Sequence, residues 1–208
     1  MTSLRSGVKL DLMKKLSTYL FLVLFSFSAL SFGDDIRDYQ IEGMSIRDSL
    51  LEYFSEIEIK KSIQKTQYPG SDRYIIVTFN DLEQFEIYSS VQMDFKKNDK
   101  KYFIGAMMGA LEFENINDCY EKQKEIVGEI ALLFPNAKSA DAEQVKNFDQ
   151  TGKSTSYLYE FYLSSGDIVQ ISCDDWSEEM TKTHFLVDAL GVSLMNKEYS
   201  DFLFNEAY

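Results

Sequence analysis

The sequence predicts an α+β domain, an antiparallel sheet with helices packed on one face, preceded by a signal peptide. Three observations carry that expectation. Short runs rich in aromatic and β-branched residues, such as YIIVTF, YLYEFY and DIVQISC, are separated by Asn, Asp, Ser and Gly, the pattern of strands joined by tight turns. Two stretches, beginning near Ser45 and Asp118, repeat their apolar residues at helical spacing. The N-terminus passes from positive charge through an apolar run to small residues.

At that N-terminus Met13-Lys14-Lys15 precede the apolar run Leu16–Leu30, and Ser31-Phe32-Gly33 follow. Signal peptidase requires small side chains three and one residues before its cut, so cleavage is expected after Gly33. Residues 1–33 are then the signal peptide, for which Met13 would serve as the start, and residues 34–208 are a single α+β domain. The stretch Leu16–Phe32 is seventeen residues with five Ser or Thr, shorter than the roughly 20 mainly apolar residues of a spanning helix. No cysteine lies near the cut to carry a lipid. The expectation is a periplasmic or secreted protein with no membrane span after cleavage.

The chain carries a formal net charge of −13, and losing residues 1–33 removes four Lys or Arg and one Asp, which leaves −16. Such a field repels nucleic-acid phosphates and anionic lipid headgroups and favours cationic partners. The acids are spread along the chain, as on a folded surface. About 175 residues are enough for one well-packed core.

In chain order, Asp38–Gly43 reads as an extended entry. Ser45 with Asp48 three residues on resembles a capping box, and Ile46, Leu50, Tyr53, Phe54 and Ile57 follow at helical spacing. The stretch 62–73, with Pro69-Gly70, is a loop. Strands are expected at Tyr74–Phe79, Phe85–Phe95 and Lys101–Phe113, the last two joined by the turn Lys97-Asn98-Asp99-Lys100. A helix capped by Asp118 and Glu121 ends before Pro135, and its apolar stripe comprises Cys119, Ile126, Ile130 and Leu133. Residues 136–154 are polar and form a connection, with a short helix at Asp141–Phe148.

Ser156–Leu163 and Asp167–Cys173 are strands joined through Ser164-Ser165-Gly166. A three-residue loop with left-handed Gly166 sets Tyr157, Tyr159 and Phe161 on one face with Val169, Ile171 and Cys173; a two-residue loop mixes that face with Gln170 and Ser172. The first register is therefore expected. Thr183–Leu194 reads as a strand and Lys197–Asn205 as a closing helix that buries Tyr199, Phe202 and Leu203.

Cys119 and Cys173 both point inward in this reading, one from a helix and one from the sheet it should cover. In an exported chain that predicts a disulfide between them. Closing a loop of about 55 residues stabilises the fold by on the order of 4 kcal/mol in the chain-entropy model.

Recognisable catalytic chemistry is absent from the sequence. There is no GxSxG, phosphate-cradling glycine loop, HExxH or CxxC. His184, the single histidine, reads as a structural or solvent-facing residue, and two buried cysteines make poor nucleophiles. No catalytic residue, cofactor-binding residue or cofactor is assigned. The one polar constellation is Asp174-Asp175-Trp176-Ser177-Glu178-Glu179. Asp174, Asp175, Glu178 and Glu179 are weak candidates for a calcium site or a cation-docking spot, although EF-hand spacing is missing.

The stretch DYQIEGMSIRDSLLEYFS, residues 38–55, resembles a group of small exported bacterial proteins that open with an IEGMSIxDSLLxYFS-like segment after a signal peptide. The likeness extends into the NDKKYFI hairpin and the INDCYEKQKEIV helix. It implies export and a single α+β domain, and it implies no site. Two functional readings follow: a non-catalytic envelope protein that binds a partner protein or small ligand through an exposed sheet edge or the Asp174–Glu179 region, and an envelope enzyme using those carboxylates, which requires a deep pocket beside them.

Overall fold

The strands are β1 (Tyr74–Asn80), β2 (Ser90–Lys96), β3 (Ile104–Glu112), β4 (Lys138–Val145), β5 (Thr155–Tyr162), β6 (Ile168–Asp175) and β7 (Ala189–Met195). They form one sheet in the order β1-β2-β3-β7-β6-β5-β4, antiparallel at every step. The helices are α1 (Glu56–Lys61), α2 (Ile116–Leu133), α3 (Glu178–His184) and α4 (Lys197–Asn205). The α+β class expected from the sequence is the observed one. This computed structural model describes residues 35–146 and 149–208. The signal peptide, its cut and the start at Met13 lie outside the described residues.

One face of the sheet carries the main core. Val77 and Phe79, Val91 and Met93, Val192 and Leu194, and Val169 and Ile171 share a buried cluster with Cys119, Ile126 and Ile130 of α2. Gln123 sits in the same stripe, nearly fully buried, and its amide donates to the carbonyls of Tyr157 (2.8 Å) and Ile171 (3.0 Å). A buried amide is tolerated there because both of its protons are used. The disulfide joins Cys119 to Cys173 with Cα atoms 6.0 Å apart, and both residues are fully buried. It pins α2 to β6.

The closing helix takes the opposite face. Tyr199 and Phe202 pack with Tyr74, Ala106, Ile168 and Met195. A single residue, the N-cap Asn196, separates β7 from α4, so the helix folds back onto the face to which Met195 already points.

Several expected elements differ. No helix starts at Ser45. The main chain there pairs with residues 102–104 instead: Arg47 N–H donates to Ile104 O (2.9 Å), Ile104 N–H to Asp48 O (2.9 Å) and Leu50 N–H to Tyr102 O (3.1 Å). Arg47 has φ +75°, which interrupts a right-handed helix. Half of the expected box survives, since the Asp48 carboxylate accepts from Ser45 N–H at 2.8 Å. Ile46, Leu50 and Phe54 are buried as their spacing implied, whereas Ile57 is exposed. Helical structure begins later, in a 3₁₀ turn Leu50–Glu52 boxed by Ser49 and Glu52, and in α1, boxed by Ser55 and Glu58.

The cap of α2 is Asn115, not Asp118. Asp118 lies in the first turn, where the helix dipole favours an acid, and Glu121 pairs with Lys124. Leu133 falls outside the buried stripe. The stretch expected as strand Thr183–Leu194 divides into the end of α3, a left-handed Phe185 at φ +56°, and β7 from Ala189. The β5–β6 register is the expected one, with Tyr157 opposite Cys173, Phe161 opposite Val169 and Gly166 at φ +86°.

The largest correction concerns residues 136–154. The helix expected at Asp141–Phe148 is replaced by β4, an edge strand paired with β5 from Lys138↔Tyr162 to Val145↔Thr155, and every residue of β4 is exposed. A strand with no buried side chain leaves no hydrophobic signature to read.

Candidate functional site

The two edges of the sheet are unlike. The β1 edge is strapped by the chain that leaves α1: Gln64 N–H donates to Ile76 O (2.9 Å), Thr78 N–H to Ser62 O (3.0 Å), and Ile76 N–H to the Gln67 side-chain carbonyl (2.8 Å). That covering occupies the outward N–H and C=O of Ile76 and the outward N–H of Thr78, and so blocks the middle of β1 as a docking edge.

The β4 edge carries no such cover among the described residues. Lys146 N–H donates to Ser154 O (2.8 Å) at the end of the ladder. Bonded and unbonded pairs alternate along an antiparallel ladder. The N–H and C=O groups of Ser139, Asp141, Glu143 and Val145 therefore point away from β5. The same four residues project their side chains to the α2 side of the sheet, opposite Phe161, Tyr159, Tyr157 and Thr155. Tyr157 donates its hydroxyl to Asp141 at 2.8 Å. Tyr120 of α2 and Tyr159 lie edge-on to Tyr157, with ring centroids 6.3 and 5.5 Å away. An open backbone edge is thus flanked by two carboxylates backed by tyrosines. In the sequence the trace of this strand is a period of two, with Ala140 and Ala142 alternating against Ser139, Asp141 and Glu143.

The acidic run 174–179 is not gathered into one site. Alternation along β6 sends Asp175 to the α2 face and Asp174 to the other. Asp174 pairs with Lys146 (2.8 Å) and accepts from Ser156 Oγ. Burial, with Asp188 nearby, raises the Asp175 carboxyl above its ordinary range. Glu178 pairs with Lys182 on the surface of α3, and Glu179 is exposed. No group of three or more His, Cys, Asp or Glu is placed to hold a metal among the described residues. Trp176 stacks beneath the Lys146 ammonium, 5.2 Å from the ring centre, and its main-chain N–H donates to the Asp188 carboxylate at 2.8 Å. His184 lies exposed at the end of α3, hydrogen-bonded to Thr183.

The residue that organises this end of the molecule is Asp149, which sequence reasoning missed. Its carboxylate accepts from Thr151 N–H, Thr151 Oγ1, Ser154 N–H, Ser154 Oγ and Ser177 Oγ, at 2.6 to 2.9 Å. Those bonds, Ser154 first, hold its carboxyl well below the usual range. They tie the β4–β5 connection to the N-cap of α3. A depressed carboxylate contributes stability above its unfolded pKa and loses it as pH falls. Asp149→Ala is therefore expected to lower the melting temperature at pH 7, to lower it less at pH 3, and to speed amide exchange at Ser154 and Ser177. Unchanged exchange at both amides would remove Asp149 from this role.

Two further polar features serve the fold. Asp94, 2% exposed, accepts from Tyr68 Oη (2.6 Å) and from Gln92 Nε2 (3.2 Å), and Tyr68 bonds in turn to Tyr199 of α4. Burial pushes its carboxyl up to about 6 against the pull of those bonds. Asp167, also buried, accepts from Lys197 N–H (2.8 Å) and Arg47 (3.3 Å) at the base of an open cleft of about 360 Å³.

The fold and this edge define an architectural class, an α+β antiparallel sheet strapped along one side and, among the described residues, uncovered along the other. Comparison of the chain with protein-family models, curated proteins and solved structures finds no match.

Proposed function

We propose that this is a non-catalytic binding protein of the cell envelope or the exterior that takes a partner protein by adding a strand to β4. The observation that carries the reading is the asymmetry of the two edges. An open edge offers a row of main-chain donors and acceptors to another chain, the basis of strand-addition recognition. Export rests on the signal-type N-terminus, on the likeness of residues 38–55 to exported proteins, and on a buried disulfide, which persists in oxidising compartments. Among the described residues no helix is long and apolar enough to cross a membrane. The enzyme reading has no comparable support, because Asp174 and Asp175 diverge and Glu178 is held by Lys182.

The test is site-specific photo-crosslinking in the cell of origin. A crosslinking side chain at Ala140 should yield a discrete higher-mass species, and the same group at Lys65 beside the strapped edge should not. The companion substitution Glu143→Pro removes an outward N–H without touching a ladder bond, a change that edge strands tolerate, and it should abolish the species. No adduct at Ala140, or one that survives Glu143→Pro, would overturn the proposal.

A further inference from the structure

We infer that the strand accepted by β4 is basic, with Lys or Arg at alternate positions facing the α2 side, and that a second copy of this chain is excluded. The inference rests on the strand-addition reading and deepens it.

A second copy is the first occupant to consider, since identical edges often pair about a twofold axis. In an antiparallel pair related by an axis normal to the sheet, opposed residues share a face, so only residues of like parity can meet. Four registers, centred on Ala140, Asp141, Ala142 and Glu143, keep at least five residues of β4 in the ladder, and the last sets Glu143 against its own copy. Centring on Asp141 sets Asp141 against its own copy. Centring on Ala142 sets Asp141 against Glu143 twice. Centring on Ala140 avoids acid pairs but leaves only Lys138–Ala142 in the ladder, with Glu143 beyond its end. Like charges directly opposite are destabilising, and the formal net charge of −13 repels at longer range. Self-pairing is thus either repulsive or short.

The same two carboxylates select in favour of cations. Asp141 and Glu143 are exposed, two residues apart and on one face, so a strand laid along β4 meets them with its own residues j and j+2. Tyr159 and Tyr157 stand directly behind them on β5. A Lys or Arg side chain reaching inward from the added strand would meet a carboxylate and then an aromatic ring, a combination that favours cations over neutral groups. On the other face the incoming strand meets Ala140, Ala142 and Gln144, which impose no charge, and Lys138 at one end, which disfavours a cation there. The occupant is therefore a strand of alternating basic and uncharged residues belonging to a partner protein.

Fluorescence anisotropy with capped octapeptides on the chain 34–208, as released by the expected cleavage, tests this. An alternating Lys–Thr peptide is expected to bind about tenfold more tightly than an alternating Gln–Thr peptide, from two opposed charge pairs. Asp141→Asn with Glu143→Gln should erase the difference, and raised salt should shrink it. Glu143→Pro should abolish binding of both peptides. Equal binding of the two peptides, still lost with Glu143→Pro, would overturn the basic partner and leave edge pairing standing. Binding that survives Glu143→Pro would mean surface electrostatics alone and overturn both. Sedimentation of the chain as a dimer that Glu143→Pro dissociates would overturn the exclusion of a second copy.

Discussion

Replacing Cys119 and Cys173 together by alanine should cost about 4 kcal/mol of stability, read from urea or guanidinium unfolding of the oxidised parent beside the double variant. The sequence separation of 54 residues sets the loop whose closure the bond fixes in the unfolded chain. The loop spans most of the second half of the sheet, β4 and β5 included, so opening it frees a large part of the unfolded ensemble. That loss is a substantial share of the roughly 5–15 kcal/mol available to a domain. Both sulfurs are fully buried between α2 and β6, and lost packing adds to the cost. A difference below about 1 kcal/mol would show that the α2–β6 contact stands without its staple.

Asp94→Asn should stabilise the protein at pH 7 by up to about 3 kcal/mol, and by much less at pH 4. The direction follows from the carboxyl's rise from an ordinary 3.8 to about 6, which is due first to burial. A raised acid binds its proton more tightly folded than unfolded. The penalty of holding its charge is therefore absent below pH 3.8, grows as pH rises towards 6 and is complete above it. Asparagine keeps an acceptor for Tyr68 and carries no charge, and the Gln92 amide can turn its oxygen to the new donor. Because Tyr68 bonds to Tyr199, the gain should also appear as slower amide exchange in α4. Equal effects at pH 4 and pH 7 would mean that Asp94 does not titrate in this window.

Elements with a buried face are legible in the sequence. The β5–β6 hairpin is the clearest case, because one register makes a uniform apolar face and the other does not, and the structure adopts the first. The Cys119 stripe on α2 and its pairing with Cys173 followed from the same periodicity. Ser45–Ile57 shows the limit of that reasoning. Its apolar residues do reach the core, but spacing alone could not reveal that the main chain of Arg47–Leu50 would bond to residues 102–104 rather than to itself. The uncovered β4 edge was less legible still. An exposed sheet edge was anticipated in general, but β4 buries nothing, and its weak alternation of alanine with acids looked like a polar connection.

By itself, then, the sequence determined the antiparallel α+β class, the inward faces of its strands and α2, the disulfide and the strongly acidic charge, because burial stamps a period on the residues that undergo it. Only the tertiary structure decided which edge of the sheet is strapped, that Asp174 and Asp175 part to opposite faces, and that Asp149 and Asp94 are buried within hydrogen-bond networks. Those outcomes depend on which distant segments meet through their main chains, and main-chain pairing leaves almost no mark on side-chain identity.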